Sequence, residues 1–471
     1  MRHIVTPSFF YQHATCPHWI WYDRFGDPTR RGDVPALAQK LLDQGVVHEA
    51  EYVKGLDFLP VTAADPVVAF EATIALMRQG AELIYQGAIE AEFNGVLWRG
   101  RPDLLEKRKG KSRLGDYFYA PVDIKSSHSI HKEQQLQLTF YALILERIQG
   151  VRPKDMAIIN VDHERIAFSP SVVHVGKTRA KVKEIVEVLA GTKPPPRLAS
   201  KCKHSPWFSE CVRDAEASND IALIYDLDSR AHPALRAAGI NTVDDAAAMD
   251  IASLPKIPFY PPATLERVRL QAQALKTGEL RWISTPKIPD APLRIYFDIE
   301  GDPLLDVQYL FGFWIVGNGE PHYVRFLAER PEDERAMWRE FLAWTETLPK
   351  DYVVYHYADY ERSNTLRMAR EYGSSPAFER FATRYVDFLK IVKESVVLPL
   401  YFYSIKDIAK SKFLNYHWRH QKAGGAQSIF WYEEWLETGD RKILQDIIDY
   451  NEDDVVATAH LHRWLLEHGD A

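Results

Sequence analysis

Acidic side chains in the C-terminal part of the chain have the types and spacing to hold divalent metal ions. Leu293–Glu300 alternates apolar and polar residues, so a strand would place Asp298 and Glu300 on one face, about 7 Å apart. Far downstream, Tyr450 and Asp454 are four residues apart in a helical pattern and share a helix face. Carboxylates are hard ligands for such ions, and a phenol beside them could orient an attacking water. Taken alone, the two strand acids would more often be solvated residues on an edge strand.

This arrangement resembles the DEDDy exonucleases of the RNase H-like fold, which carry two acids on a first strand and a tyrosine with an acid on a late helix. The resemblance implies two-metal hydrolysis of phosphodiester bonds, usually from a free 3′ end. It implies that Asp298, Glu300 and Asp454 are metal ligands. Tyr450 would orient or deprotonate the attacking water.

The resemblance also implies a fourth acid, which follows an aromatic residue at the start of a helix between these segments. Asp359 and Glu361 are the two candidates. Glu361 follows Tyr360 and opens a helical run, whereas a regular continuation would point Asp359 elsewhere. We therefore favour Glu361 as the metal ligand, although glutamate departs from the usual aspartate. Lys406 could reach a phosphate, but we interpret it as a surface lysine.

A second set of residues suited to metal chemistry lies in the N-terminal half. Asp103 begins one strand pattern, and Asp123 and Lys125 alternate onto one face of the next. Two aspartates can hold a divalent ion, and a lysine can activate water and offset developing negative charge. A strand-borne Asp-x-Lys is by itself more often a surface ion pair. As a strand-face residue, Lys125 should add little to folding.

Three further residues complete a family pattern. His48 lies on an upstream helix as a suitable imidazole ligand, and Gln137 and Tyr141 share one face of the helix after the Asp-x-Lys strand. The ordered set resembles the RecB-type nucleases of the PD-(D/E)XK superfamily. The resemblance implies metal ligands at His48, Asp103 and Asp123 and a catalytic role for the lysine. It places Gln137 and Tyr141 beside the DNA.

Some members of this branch staple the domain with an iron–sulfur cluster held by one early cysteine and three late ones. Cys16 fits the early position, and Cys202 and Cys211 fit the late region, where Ser205 replaces an expected cysteine. Either His204 or a solvent molecule could supply the missing ligand of a [4Fe–4S] cluster. A zinc site of three cysteines and this histidine is chemically reasonable too. Three reduced, metal-free thiols are the third interpretation.

The elements that would position these residues predict an α/β multidomain protein of three segments. Helical patterns over Val34–Leu56 and Pro66–Glu90 open the first segment, and strands follow them. The segments are a PD-(D/E)XK restriction-endonuclease-like domain over residues 1–214, a small helical domain over 215–285, and an RNase H-like domain over 290–471. The middle segment resembles helix-hairpin-helix modules that hold nucleic-acid backbones, although a plain helical spacer is the favoured interpretation.

Composition and charge exclude several classes of protein. With 46% hydrophobic and 26% charged residues among 471, the chain is neither wholly disordered nor collagen-like. Lack of a membrane-span run and of an apolar signal core predicts a cytoplasmic protein without a membrane partner. The net charge of −7 predicts no tight non-specific nucleic-acid binding from bulk charge. The basic residues of Lys107–Arg113 form a predicted hairpin tip that could track phosphates or simply be solvated.

Together these patterns predict a metal-dependent nuclease with two active centres that use Mg²⁺ or Mn²⁺. The preferred substrate is DNA with single-stranded character or free ends, and RNA is an alternative. The rival class is a nucleic-acid-binding adaptor with decayed centres, which the complete ligand sets disfavour. The order of domains resembles a family of bacterial RecB-like nucleases that often carry a helicase. Since this chain has no P-loop pattern, a separate helicase or another repair or defence protein is the expected type of protein partner.

Overall fold

A computed structural model describes residues 3–128, 130–225, 227–228, 230–303, 305–420 and 426–469. The chain divides into two compact units, Met1–Ala217 and Ser218–Ala471. The predicted middle segment, residues 215–285, falls almost entirely within the second unit. None of the helices in the described ranges is long and apolar enough to cross a membrane.

The first unit mixes helices with short and long strands. Its helices are α1 (Ser8–Thr15), α2 (Trp19–Phe25), α3 (Ala36–Val53), α4 (Pro66–Gln79), α5 (Lys132–Gln149), α6 (Val172–Leu189) and α7 (Phe208–Ala217). Its strands are β1 (Ile4–Val5), β2 (Leu59–Pro60), β3 (Leu83–Tyr85), β4 (Ile89–Phe93), β5 (Val96–Gly100), β6 (Leu104–Ser112), β7 (Gly115–Ile124), β8 (Met156–Ile159) and β9 (Arg165–Phe168).

A six-stranded sheet in the order β2-β3-β6-β7-β8-β9 forms the centre of this unit. Strands β6 and β7 are an antiparallel hairpin, and β8 runs parallel to β7. Val122 and Ile124 of β7 pack with Val53 of α3 on one face of the sheet. On the other face, Tyr119 shares a core with Leu138 of α5. The sheet therefore lies between two helices, as expected for a restriction-endonuclease-like domain.

The predicted helix over Pro66–Glu90 is too long. The observed helix, α4, starts where the Asp65 side chain accepts hydrogen bonds from Val67 N and Val68 N, and it ends at Gln79. Gly80 takes a left-handed φ of 75°, which glycine adopts without steric cost and which stops the helix. Strands β3 and β4 follow.

The second unit begins with three helices and continues with a sheet and further helices. Its helices are α8 (Ala231–Ala237), α9 (Val243–Ala248), α10 (Pro262–Thr277), α11 (Glu334–Thr347), α12 (Tyr360–Tyr372), α13 (Pro376–Ala382), α14 (Phe388–Ser395), α15 (Ile405–Ala409), α16 (Gln427–Thr438) and α17 (Arg441–His468). Its strands are β10 (Arg281–Trp282), β11 (Leu293–Asp302), β12 (Val307–Val316), β13 (His322–Leu327), β14 (Tyr352–His356), β15 (Tyr385–Asp387) and β16 (Val396–Val397).

A five-stranded sheet in the order β13-β12-β11-β14-β15 forms the core of this unit. The first three strands in sequence are antiparallel neighbours, and β14 and β15 run parallel to β11. Phe297 of β11 packs in an aromatic core with Phe313, Phe341 and Phe381. Because side chains alternate along a strand, the polar residues of β11 lie on the opposite face, which carries α17.

The three helices that open this unit are the short α8 and α9 and the longer α10, and their role as a spacer or as a phosphate-binding hairpin stays a prediction. Gly239, with φ of 86°, separates α8 from α9, and Thr242 caps α9 in a capping box with Asp245. The backbone N–H groups of Asn241 and Thr242 donate to the Asp245 carboxylate, which is the kind of donor that a phosphate would need. Strand β10 pairs with β16, so this segment is joined to the rest of the unit.

Candidate active sites

Three carboxylates from distant parts of the chain converge beside the sheet of the second unit. Asp298 and Glu300 lie on β11 and Asp454 lies on α17. One oxygen atom from each of the three lies within 4.8 Å of the other two. Glu300 is 7% exposed and Asp454 is 8% exposed. In the described part of the chain, no other three His, Cys, Asp or Glu side chains bring ligand atoms this close together.

Crowding and burial make the ionised forms of these acids costly. Burial, and then the charges of Glu300 and Asp454, hold the pKa of Asp298 well above its usual value. Burial and the charge of Asp454 raise the pKa of Glu300 to about 7. A divalent cation would offset this repulsion, and carboxylate oxygens suit Mg²⁺ and Mn²⁺. The donor set therefore fits the divalent ions that the sequence predicts.

The structure treats the two candidates for the fourth acid differently. Glu361, in the first turn of α12, is 3% exposed. Burial raises the pKa of Glu361, and the nearby His356, whose Nδ1 lies 3.5 Å from Glu361 Oε2, opposes that shift together with Asp298. Asp359 is at the surface, where its side chain is 67% exposed and contacts Arg362. Glu361 is thus the candidate that lies with the other acids, and its role as a metal ligand stays a prediction.

Each of the three converging carboxylates receives a hydrogen bond from a side chain that the sequence analysis did not single out. The donors and acceptors are Ser428 Oγ to Glu300 Oε2 at 2.5 Å, Asn451 Nδ2 to Asp298 Oδ2 at 2.8 Å and Trp418 Nε1 to Asp454 Oδ1 at 2.6 Å. Asn451 follows Tyr450 directly, so the helical pattern offered a signal for it. Ser428 and Trp418 lie on other segments, and no spacing rule points to them.

The predicted tyrosine is in place, and a lysine joins it. Tyr450 is buried at 1% exposure, and Lys406 Nζ donates a hydrogen bond to its hydroxyl. The same ammonium lies 3.6 Å from Asp454 Oδ2. The interpretation of Lys406 as a surface lysine is therefore wrong, because α15 carries it toward the acids and leaves its side chain only 21% exposed.

In the first unit, two aspartates share one lysine. Lys125 Nζ lies 3.6 Å from Asp103 Oδ2 and 3.4 Å from Asp123 Oδ2. Ile124 N also donates to Asp103 Oδ2 at 2.7 Å, which joins the start of β6 to the end of β7. Burial would lower the pKa of Lys125, but the two carboxylates outweigh it and raise that pKa. The ammonium of Lys125 is therefore bound by two carboxylates, and Lys125 is not a solvated strand-face residue.

Asp123 has an oxygen atom suited to a metal ion. Among the described residues, its fully buried Oδ1 has no hydrogen-bond partner, while Gln137 Nε2 donates to Oδ2 at 2.7 Å. Burial, moderated by Lys125, raises the pKa of Asp123 to about 6. Gln137 Nε2 is also 3.1 Å from the Tyr141 hydroxyl. The phenol ring packs where a side chain on Gly100 would collide with it.

The predicted ligand His48 contacts a main-chain carbonyl group. Its Nε2 donates to the carbonyl oxygen of Asn160 at 3.2 Å, and its ligation of metal stays a prediction. The next residue on α3, Glu49, interacts electrostatically with Asp103. Burial and the charge of Asp103 raise the pKa of Glu49, and Gln86 donates to its carboxylate. Sequence reasoning missed Glu49, although it directly follows the histidine.

Comparisons with known proteins match the two units separately. A family model of the PD-(D/E)XK nuclease superfamily matches residues 18–212, and one of the RNase H superfamily matches residues 295–466. The chain joins a PD-(D/E)XK domain to an RNase H-like domain. Two domains of these superfamilies support a metal-dependent nuclease that binds nucleic acid. The predicted fold classes of both ends are confirmed.

Other comparisons add little. No curated protein matches the chain. A solved structure described as "Crystal structure of SSO0001" is 11% identical over 44% of this chain and 84% of its own, with a TM-score of 0.24. That likeness is too low to inform the function.

Three thiols meet in the PD-(D/E)XK domain. Cys16 Sγ lies 3.3 Å from Cys211 Sγ, and Cys16, Cys202 and Cys211 are all buried and free of disulfides. A hydrogen bond with Cys202 lowers the pKa of Cys16, but the bond with Cys211 and burial raise it to about 12. His204 is exposed, and Ser205 is buried with its Oγ accepting from Trp207 N at 3.2 Å. Cys16 thus lies against a thiol from the other end of the domain, and binding of a metal or cluster by the three cysteines stays a prediction.

Three basic residues of the β6–β7 hairpin have acidic partners. Lys107 Nζ lies 2.6 Å from Glu82 Oε1, and Lys111 pairs with Asp116. Arg108 pairs with Glu106. These ion pairs favour the solvated interpretation of this segment over a phosphate track.

Proposed function

We propose that this chain hydrolyses phosphodiester bonds of DNA at two active centres, one in each unit, and that the C-terminal centre trims from a 3′ end. The observation that supports this most is the buried meeting of Asp298, Glu300 and Asp454 on β11 and α17. Burying acids that repel one another destabilises a fold unless a cation neutralises their charge.

At the C-terminal centre, the three converging acids and Glu361 would hold Mg²⁺ or Mn²⁺. Bound ions of this kind stabilise negative charge on the attacking and leaving oxygens of an in-line displacement. Tyr450 would orient the attacking water through its hydroxyl or accept its proton. Ser428, Asn451 and Trp418 would keep the carboxylates in position.

At the N-terminal centre, Asp103 and Asp123 would hold the ion, with His48 as a further ligand. The ion would polarise the scissile phosphate. Lys125 would offset negative charge as it develops on that phosphate, because its ammonium already lies between the two aspartates. Gln137 and Tyr141 would act mainly by holding Asp123, since Gln137 bonds its carboxylate and Tyr141 is only 3% exposed.

We infer the substrate class from the motifs of the two centres. Neither set of motifs calls for recognition of particular bases, so DNA with single-stranded character or free ends is the preferred substrate. RNA is the second candidate. An adaptor with decayed centres is the third, and the complete acid sets speak against it, because decay would be expected to remove carboxylates that are costly to bury.

The test is degradation of end-labelled single- and double-stranded DNA and RNA with Mg²⁺ or Mn²⁺. Asp298→Ala should abolish 3′-end trimming and leave the N-terminal cutting. Lys125→Ala should abolish the N-terminal cutting and leave 3′-end trimming. Asp359→Ala and Lys111→Ala are the matched surface controls. If either single variant removes all cutting, the two-centre proposal is wrong. If the wild type binds these nucleic acids and never cuts them, the adaptor function replaces it.

For the cysteines, we propose a structural [4Fe–4S] cluster held by Cys16, Cys202 and Cys211, with a non-cysteine fourth ligand. The support is the burial of all three thiols and the contact of Cys16 with Cys211, which lies at the other end of the domain. Such a cluster would tie the N-terminal helices to the end of the domain. Zinc at the same thiols is the alternative.

A further inference from the structure

Lys406 enters the C-terminal centre from a short helix that its own cap holds in place. Ser404 caps α15 by accepting from Asp407 N at 3.2 Å. Lys406 Nζ donates to the Tyr450 hydroxyl, lies 4.1 Å from the centroid of the Tyr450 ring and 3.6 Å from Asp454 Oδ2. One ammonium thus contacts both the phenol and a carboxylate of the proposed metal shell.

The charge of this ammonium acts on the acids around it. Lys406 opposes the burial-driven rise in the pKa of Asp298, of Glu300 and of Asp454. Arg419, a cation from another segment that contacts α17, pairs with acids outside the centre, namely Asp449, Glu452 and Asp453. Among the described residues, Lys406 is thus a cation that acts on all three acids.

We propose that Lys406 is a positioning residue of the C-terminal centre, a built-in cation that holds the Tyr450 phenol beside Asp454 and competes with a divalent ion for that carboxylate. The proposal rests on the proposed nuclease function. A phenol oxygen can accept from the ammonium and still donate its own proton, so the contact orients Tyr450 without consuming its hydrogen. The contact between Lys406 and Asp454 lowers the affinity for metal, because the ammonium and the metal ion compete for one carboxylate.

The two parts of the proposal make opposite predictions for one variant. Lys406→Met should lower kcat for 3′-end trimming by about 10- to 100-fold with little change in KM, because a misplaced group costs catalysis more than binding. The same variant should bind Mn²⁺ more tightly than the parent. Lys406→Arg keeps the charge and a donor, and should restore the parent's Mn²⁺ affinity and part of its kcat.

The experiment uses the full chain carrying Asp123→Asn, so that the N-terminal centre is silenced. Mn²⁺ binding is measured by electron paramagnetic resonance and calorimetry, and trimming by end-labelled single-stranded DNA. Lys412→Met is the matched control, because Lys412 is 62% exposed and pairs with Glu279 at 3.5 Å. Lys406→Gln serves as a second neutral variant if the methionine does not fold.

A double variant tests whether Lys406 acts through Tyr450. In a Tyr450→Phe background, adding Lys406→Met should cost no further kcat, while the gain in Mn²⁺ affinity persists. Equal Mn²⁺ affinity and kcat in Lys406→Met and Lys412→Met would overturn the inference alone. If the Asp123→Asn parent neither trims nor binds Mn²⁺, the proposed function fails, and this inference falls with it.

Discussion

The side-chain amide of Asn451 on α17 donates to the carboxylate of Asp298 on β11 at 2.8 Å. Tyr323 fixes the other end of the same amide by donating to its Oδ1 at 2.7 Å. Gly312 is the cross-strand partner of Asp298, and a Cβ there would collide with Oδ1 of Asn451. The missing side chain at Gly312 is thus what lets the helix approach the strand and bring its acid to the centre.

Gly312→Ala should therefore damage both stability and C-terminal activity. Overpacking of a filled site costs about 1–3 kcal/mol of unfolding free energy, and Asn451 would have to leave Asp298. Gly319→Ala is the control, since a Cβ there meets nothing within 4 Å. Chemical denaturation and 3′-end trimming measure the two effects. Equal behaviour of both variants would contradict this account of the helix approach.

The choice between the two candidate acids gives a second prediction. Glu361→Gln should reduce 3′-end trimming by at least about 100-fold, because it removes a charge from the proposed metal shell. Asp359→Asn should keep activity within about twofold, as expected for an exposed residue. Single-turnover trimming rates at saturating Mg²⁺ provide the measurement. The reverse order of effects would reassign the fourth acid to Asp359.

Lys125 should matter for folding as well as for cutting. The expectation from sequence was a small effect, but the structure places its ammonium between Asp103 and Asp123. Removing one partner of a buried ionic group costs about 3–5 kcal/mol, so Lys125→Met should destabilise the metal-free protein clearly. Added Mg²⁺ should recover part of the loss. Thermal unfolding in EDTA and in Mg²⁺ tests this, with Lys111→Met, 90% exposed, as the control.

The acids of the C-terminal centre predict how the stability of the metal-free protein depends on pH. Glu300 has an ordinary pKa of 4.5 and a folded pKa of about 7. Between these values the folded chain binds more protons than the unfolded chain, so the free energy of unfolding should fall as pH rises from about 4.5 to 7. Mn²⁺ needs the ionised carboxylates, so its stabilising effect should grow over the same range. Denaturation in EDTA and in Mn²⁺ across this pH range provides the test, and Glu300→Gln should flatten the metal-free trend.

The cysteines predict a spectroscopic signature. Protein purified without oxygen should show broad visible absorbance and bound iron, and Cys16→Ser should lose both together with thermal stability. Elemental analysis separates this from the alternative, because zinc without iron and without colour would indicate a tetrahedral zinc site. Protein with neither metal, and with unchanged stability in Cys16→Ser, would leave three structural thiols.

Local patterns in the sequence were enough to predict the strand and helix that carry the C-terminal acids. Alternation along Leu293–Glu300 and the four-residue spacing of Tyr450 and Asp454 are properties of single elements. The surroundings of these acids were not predictable in this way. Ser428 and Trp418 reach the carboxylates from segments with no periodic relation to them, so only the tertiary fold brings them near.

The position of Lys406 could not be predicted from the local sequence either. A lysine in a short helix is normally solvated, and the local spacing of residues does not indicate otherwise. Its burial depends on where α15 meets α17, which is a property of packing. Glu49 was overlooked for a different reason, because the family pattern drew attention to His48 and not to the acid beside it. The overlong helix at Pro66–Glu90 came from missing the stop at Gly80.

A ribosome makes β11 early in the second unit and α17 only near its close. A growing chain therefore carries Asp298 and Glu300 well before Asp454 has been synthesised, and during that interval it cannot assemble the proposed cutting centre. Because the acids are split between an early strand and a late helix, any fragment of the chain that ends before α17 keeps two of the three acids and lacks the proposed centre.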